Sequence, residues 1–328
     1  MRQPARILIA LCSTMALLAS TPVNAQAKTY PDRPIRLIVP FPPGGNTDLL
    51  GRLVAQKLSD RLGTAVVVDN RAGAGSQIGI ETASKAAPDG YTLLFGPADG
   101  MSILPALRSK LPYDPIKDFV PVARIATSPF VYSVNSKLSV DSLETFLAEA
   151  RKKPGTIRYG TPGIGSIAHL AMELLQSRTG TQFSHIPYKG GGPALAGFLA
   201  GDTEAMVSSQ ALIRVPAQAG QVHMLAQTGP DRHPSMAAVP TTKEAHIADV
   251  EVVSWFGLFA PSGTPTDVVE RLTKISSDIS RDADFAKRMI DTGSVAAYLA
   301  PAEFGEFVAQ DIRKWAGVVK AAGIEVDY

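Results

Sequence analysis

The sequence predicts an α/β protein built from two successive strand–loop–helix units. Three observations carry this. Short apolar runs rich in Val, Ile and Leu alternate with segments whose apolar residues recur at helical spacing. Glycine-rich loops stand between strand and helix. Gly and Pro number 28 and 25 in 328 residues, above the roughly 12% of average usage, so turns are frequent and long bundle helices are disfavoured.

In chain order, Ile35–Val39 reads as a strand that ends at Pro40-Phe41-Pro42-Pro43-Gly44-Gly45. Leu49, Leu50, Leu53, Val54, Leu58 and Leu62 follow at 3.6 spacing, with Thr47 as N-cap, Asp48 in the first turn and Gly63 as the stop. Ala65–Val68 is the next strand, Gly73–Ser76 opens another helix, and Tyr91–Phe95 is a third strand ending in Gly96. The second unit repeats the logic. It runs through a helix over Ser142–Lys152, a strand over Ile157–Gly160, the loop Thr161–Gly165 and a helix with Ile167, Leu170, Ala171, Leu174 and Leu175 inward, stopped by Gly180. Strands follow at Phe183–Tyr188, Ala205–Val207 and His223–Gln227, with a helix from Pro193. Near residue 250 the pattern changes to a β-rich run, Val250–Ala260. From Thr266 the chain reads as helical with a break near Gly293–Leu299.

Residues 1–25 read as a secretory signal, with basic Arg2 and Arg6, an apolar stretch Ile7–Ala19 and small residues at Val23-Asn24-Ala25; a second cleavage position falls after Ala27. The apolar run, about 13 residues, is shorter than the roughly 20 a membrane span needs. Cleavage would remove the single cysteine, Cys12, and take the formal charge from +2 to zero. The mature chain then offers no disulfide, thiol nucleophile or bulk attraction to nucleic acid. No later stretch reaches spanning length, so it is not expected to be embedded in a membrane.

The chemistry sits in the loops. Helix N-termini leave amide donors unpaired and carry about half a positive charge, so the segments opening at Gly44-Gly45-Asn46-Thr47-Asp48, Gly163–Ser166 and Gly190–Gly192 are candidate anion sites. A nucleotide loop is disfavoured: no Gly-x4-Gly-Lys is present, and the Gly-x-Gly-x-x-Ala run at Gly163–Ala168 lacks the acid expected about 20 residues on. The five histidines, His169, His185, His223, His233 and His246, show no metal spacing, and no nucleophile elbow is found. No enzyme activity, metal or cofactor is therefore expected. Phe41 stands at the carboxyl end of a strand, where ligands of open α/β sheets bind. Ser208 and Ser209 end another strand and could hydrogen-bond a ligand.

These residues also carry a family resemblance. Tyr30–Ile35, Val39–Asp48, Asp69–Gly75, Ala87–Leu94, Leu111–Pro115, Tyr159-Gly160 with Gly165-Ser166 and His169-Leu170, Ile186–Gly190 and Trp255–Pro261 occur in order along the chain. Together they resemble the Bug family, periplasmic receptors of tripartite tricarboxylate transporters. The resemblance implies a periplasmic-binding-protein (Venus-flytrap) fold of two α/β domains, residues 28–127 plus 250–328 and residues 128–249. They would be joined by crossover strands near Val122–Val131 and Val250–Phe259. It implies a monomeric periplasmic receptor that captures a small organic carboxylate and hands it to inner-membrane transporter subunits; the alternative is an extracytoplasmic sensing subunit for a membrane regulator. The expected ligand-binding set is Phe41, Pro43, Gly44, Gly45, Asn46, Thr47, Asp48, Gly96, Ala98, Thr161, Gly165, Ser166, His169, Ser208 and Ser209. The loop matching Phe41–Asp48 and the helix start at Gly165-Ser166 would face each other across the cleft. Relatives that carry an acid where this chain has Ser208 and Ser209 could catch an ammonium there. The serines favour a dicarboxylate or an aromatic acid over an amino acid.

Overall fold

β1 (Ile35–Val39) is the seed of the first sheet, because Ile35, Leu37, Ile38 and Val39 are wholly buried and need parallel neighbours and covering helices, while Arg36 reaches out to pair with Asp69. A computed structural model describes residues 30–324; the signal assigned to residues 1–25 lies outside them. A main body begins at Arg33, preceded by the short stretch Tyr30–Asp32.

After β1 come α1 (Asn46–Leu62), β2 (Val66–Asn70), α2 (Gln77–Ser84), β3 (Thr92–Pro97), a wide helical turn Asp99–Ile103 running into α3 (Leu104–Leu107), and β4 (Phe119–Asn135). The second unit holds α4 (Leu143–Lys152), β5 (Arg158–Thr161), α5 (Ile167–Thr179), β6 (Ser184–Pro187), α6 (Gly191–Ala200), β7 (Ala205–Ser209), α7 (Gln210–Gln218) and β8 (Val222–Gln227). The chain finishes with β9 (Val253–Pro261), α8 (Thr266–Ser280), α9 (Ala283–Asp291), β10 (Val295–Leu299) and α10 (Pro301–Ala322).

The strands run in the order β2-β1-β3-β9-β4-β7-β5-β6, with β8 and β10 also on β4. β1 is parallel to β2 and β3, and β5 is parallel to β6 and β7. β4 joins the two groups. Its first half, through Pro129, pairs antiparallel with β9 and β10; its second half, from Phe130, pairs with β7 and β8. Two α/β lobes therefore share one 17-residue strand, and β9 brings the chain back to the first sheet against β3. This is the two-domain α/β fold of the periplasmic binding proteins. Each lobe has its own core. Ile38, Leu94, Trp255, Phe259 and Phe304 form the first core, and Tyr132, Phe146, Tyr159, Leu170 and Leu174 the second. α10 belongs to both, giving Phe304 to the first core and Trp315 to the second, while Trp255 Nε1 donates to Asp311 Oδ2 at 2.8 Å.

Two readings are corrected. α1 is capped by Gly45, not Thr47; Thr47 lies inside the first turn. The break near Gly293–Leu299 contains β10, a strand against β4.

α2 is seated by a close backbone approach. A Cβ on Gly79 would stand 2.5 Å from the Arg71 carbonyl oxygen and 2.7 Å from Pro40 Cα. Neither atom can swing away. Gly79→Ala is expected to cost about 1–3 kcal/mol through overpacking, read as a lowered Tm; an unchanged Tm would show that α2 does not need this contact.

Candidate functional site

The first candidate loop is fastened from below. Asp48, buried in the first turn of α1, accepts from the Gly44 amide (2.9 Å) and Arg52 Nε (3.0 Å) on Oδ2, and from Asn70 Nδ2 (2.9 Å) on Oδ1. Asn70, at the end of β2, also donates to the Phe41 carbonyl (3.0 Å), and Arg52 Nη2 donates to Asn70 Oδ1 (3.1 Å). Burial alone would raise the Asp48 pKa. The bonds from Arg52, Gly44 and Asn70 outweigh it and hold the carboxyl below its ordinary value. Asp48 thus spends its oxygens on protein donors. What the loop leaves open is backbone: the amides of Asn46, Thr47 and Asp48 have no acceptor among the described residues, and Gly45 gives the helix no side-chain cap. Phe41 is half-buried, and Pro43, Gly44 and Gly45 are exposed.

The second loop follows β5. Ser166 caps α5: its Oγ accepts from the His169 amide (3.3 Å) and donates to the Gly163 carbonyl (2.8 Å). The Gly165 amide donates to His169 Nδ1 at 3.1 Å, which puts the imidazole proton on Nε2, facing Glu173 Oε1 at 3.6 Å. That oxygen already accepts from Tyr159 OH and Gln176 Nε2, each at 2.7 Å. His185 stacks on His169 with ring centres 3.9 Å apart, and its Nε2 lies 2.7 Å from Thr161 Oγ1. Tyr159 lies over His185 at 4.9 Å. Burial pushes His169 down to about 4; burial, then the neighbouring His169, pushes His185 down to about 4. The stack is neutral near pH 7. Its place is beneath the loop, so His169 positions Gly165 from inside the lobe. The amides of Ile167 and Ala168 remain without acceptors among the described residues.

The expected residues thus fall into separate groups. Phe41 to Asp48 are brought together by Asn70 on the first sheet, and Thr161, Gly165, Ser166 and His169 by the histidine stack on the second. Ser208 and Ser209 end β7, in the same sheet as β5; Ser208 is buried and its Oγ has no hydrogen-bond partner among the described residues. Gly96 and Ala98, at the end of β3, are fully buried, and a Cβ on Gly96 would meet the Phe259 ring at 2.8 Å. Sequence reasoning missed Asn70, Arg52, His185, Tyr159 and Glu173. Only the Asp48–Arg52 spacing of four was a visible signal. A groove of about 910 Å3 elsewhere, between the far half of α5 and α10, is lined by Arg178, Asp249 and Lys314 among others. Among the described residues no cluster of His, Cys, Asp or Glu could hold a metal ion, and no helix is long and apolar enough to cross a membrane.

Two lobes hung on a shared strand, with uncapped or self-capped helix starts at the carboxyl ends of β1 and β5, define a solute-binding protein of the two-domain type. Residues 50–324 match the family model for the tripartite tricarboxylate transporter family receptor, and the chain belongs to that family, as its motifs led one to expect. It is 36% identical to Protein BugT of Bordetella pertussis over 324 residues, 97% of this chain and 98% of that one. Among solved structures, an R. palustris protein with adipate is 33% identical with a TM-score of 0.78, covering 90% of this chain and 99% of that one. MatC from Rhodopseudomonas palustris with bound malate is 29% identical with a TM-score of 0.72, covering 88% and 100%.

Proposed function

We propose that this chain is a periplasmic receptor that captures a small organic carboxylate, a dicarboxylate or aromatic acid in preference, and delivers it to the membrane subunits of a tripartite tricarboxylate-type transporter. The observation that carries the reading is the pair of helix starts with acceptor-free amides, Asn46–Asp48 and Ile167-Ala168, each fixed by buried side chains. They would face each other across the cleft, between a lobe of residues 28–127 plus 250–328 and one of residues 128–249. The signal at residues 1–25 would direct export, and the receptor would act as a monomer without catalysis.

Amide donors at a helix start suit a carboxylate. Each terminus contributes about 0.3–1 kcal/mol, and each hydrogen bond to a charged acceptor adds roughly 1.5–3 kcal/mol. Arg52 is held by Asp48 and Asn70, so the site works through backbone donors, with Phe41 and Pro43 as an apolar wall. At the far end Ser208 offers a neutral, unpartnered hydroxyl in place of an acid, which suits a second carboxylate or an uncharged group better than an ammonium. The adipate and malate bound by the two relatives support the class.

The test is a thermal-shift series with adipate, malate, citrate, benzoate, terephthalate and glutamate, after unfolding and refolding to strip co-purified ligand. A ligand at 100 times its Kd should stabilise by roughly 2.7 kcal/mol, several degrees in Tm. A selective shift with a dicarboxylate or aromatic acid is expected. A shift with glutamate alone would overturn the ligand class, and none with any acid would overturn the carboxylate reading.

A further inference from the structure

A polar chain, buried at Gln210, His233, Ser294 and Ser128 and exposed at Ser235, crosses from one lobe to the other. It starts at Gln210, the first residue of α7 and next to Ser209. Gln210 Nε2 donates to Ser235 Oγ (2.5 Å), and Ser235 Oγ lies 2.7 Å from His233 Nδ1. His233 Nε2 lies 3.2 Å from the Ser294 carbonyl oxygen, and Ser294 Oγ lies 2.6 Å from Ser128 Oγ. The partners dictate the direction. A carbonyl can only accept, so Nε2 carries the proton; Nδ1 then accepts from the Ser235 amide (3.3 Å) and hydroxyl. Burial keeps the imidazole neutral, the Ser294 bond opposing it only in part.

The chain joins elements of different sheets. His233 follows β8, on the second sheet, and its amide donates to Gln227 Oε1 at 2.6 Å, which fixes the residue to that lobe. Ser294 immediately precedes β10, on the first sheet, and Ser128 lies in the first half of β4. His233 is 2% exposed and Ser294 0%, so water cannot replace the bond between them. Gly293 brings the two sides close. Its φ is +78°, and a Cβ there would stand 2.9 Å from Gln210 Oε1.

We infer that the His233–Ser294 hydrogen bond is an interlobe latch, making His233 a positioning residue that sets the resting angle between the lobes of the ligand-free receptor. β4, the Phe130–Thr228–Val252 bonds where it passes between sheets, and α10 already connect the lobes, and this bond is a further side-chain tether beside them. The inference rests on the two-lobed fold and not on the identity of the ligand.

Histidine's two nitrogens can be mimicked one at a time. Asparagine places an acceptor near the Nδ1 position and keeps Ser235 but cannot reach Ser294. Glutamine places an amide donor near the Nε2 position and keeps Ser294. Spin labels at Val67→Cys on β2 and Val215→Cys on α7, 55% and 64% exposed, in a Cys12→Ser background, would report the interlobe distance without ligand. H233N should broaden or shift the distance distribution, and H233Q should leave it as in the parent. Loss of one neutral hydrogen bond corresponds to roughly a 2- to 10-fold change in the ratio of lobe arrangements. Equal distributions in all three proteins, or equal broadening in H233N and H233Q, would overturn the latch. If H233N does not fold, H233M, which keeps the volume and removes both nitrogens, must broaden the distribution, and an unchanged H233M distribution would equally overturn it.

Discussion

Asp48→Ala is expected to cost about 2–4 kcal/mol of stability and to abolish tight ligand binding. The carboxylate satisfies three donors at once, and a buried donor left without an acceptor costs roughly 1–3 kcal/mol. Arg52, whose side chain is 53% exposed, can turn to water; the Gly44 amide and Asn70 lose more. Asn70 also holds the Phe41 carbonyl, so its release lets the whole Phe41–Gly45 loop move, and the α1 amides lose their fixed direction. Asp48→Asn should be nearly as harmful, because it turns a donor toward Gly44 and Arg52. The linkage has a definite sign. A folded pKa below the ordinary 3.8 gives stability that is present above that value and lost as the pH falls through the lower folded pKa. Thermal melting and calorimetric titration of the variants measure both effects. A variant that melts and binds like the parent would show that the loop is held by something else.

Acidification from pH 6.5 to 4 is expected to lower the Tm steeply. His169 and His185 are neutral in the fold, with pKa values pushed from 6.5 down to about 4 by burial. Between those values the unfolded chain binds protons that the folded chain refuses, so stability declines as the pH falls across this window and levels off below it. Each group contributes about 1.4 kcal/mol per pH unit at most, and His233, shifted the same way, adds to the slope. Binding should decline as well, since a proton on His169 Nδ1 would oppose the Gly165 amide donor to donor. His169→Asn keeps an acceptor for Gly165 and cannot titrate. It should bind at pH 7 and show a shallower pH dependence. An unchanged slope in that variant would place the acid sensitivity elsewhere.

Much of the frame was legible because it is local. β1, α1, β5 and α5 announce themselves by apolar period, glycine stops and turn chemistry, and the ordered motifs identified the family. The failures share one cause, that distant partners decide. Gly45 rather than Thr47 caps α1 because Asn70, on another strand, pins Phe41 and so fixes where the helix begins. Ser166 was found at the right place, yet its hydroxyl is turned onto its own helix, and His169 works from beneath because His185 arrives from β6 to stack on it. β4 was expected only from the resemblance, as a crossover strand near Val122–Val131; its full span, Phe119–Asn135, was not legible because Pro121 and Pro129 interrupt it, and proline argues against a central strand. Register shifts at Pro121–Ala123 and Arg124–Ala126 accommodate the first part of the strand, while Pro129 stands where it changes sheets. β10 is half-buried at every position and shows no alternation to read.

The return of β9 to the first sheet has a consequence for synthesis. Leu94 pairs with Phe259 and Pro97 with Phe256, so the middle of that sheet stays open until β9 has emerged from the ribosome. α10, which fills both cores, is made later still. Contacts so remote in sequence form slowly, and a nascent chain of this design keeps its N-terminal half unclosed during elongation. The order of assembly itself postpones closure of the first sheet until β9 and α10 have been made.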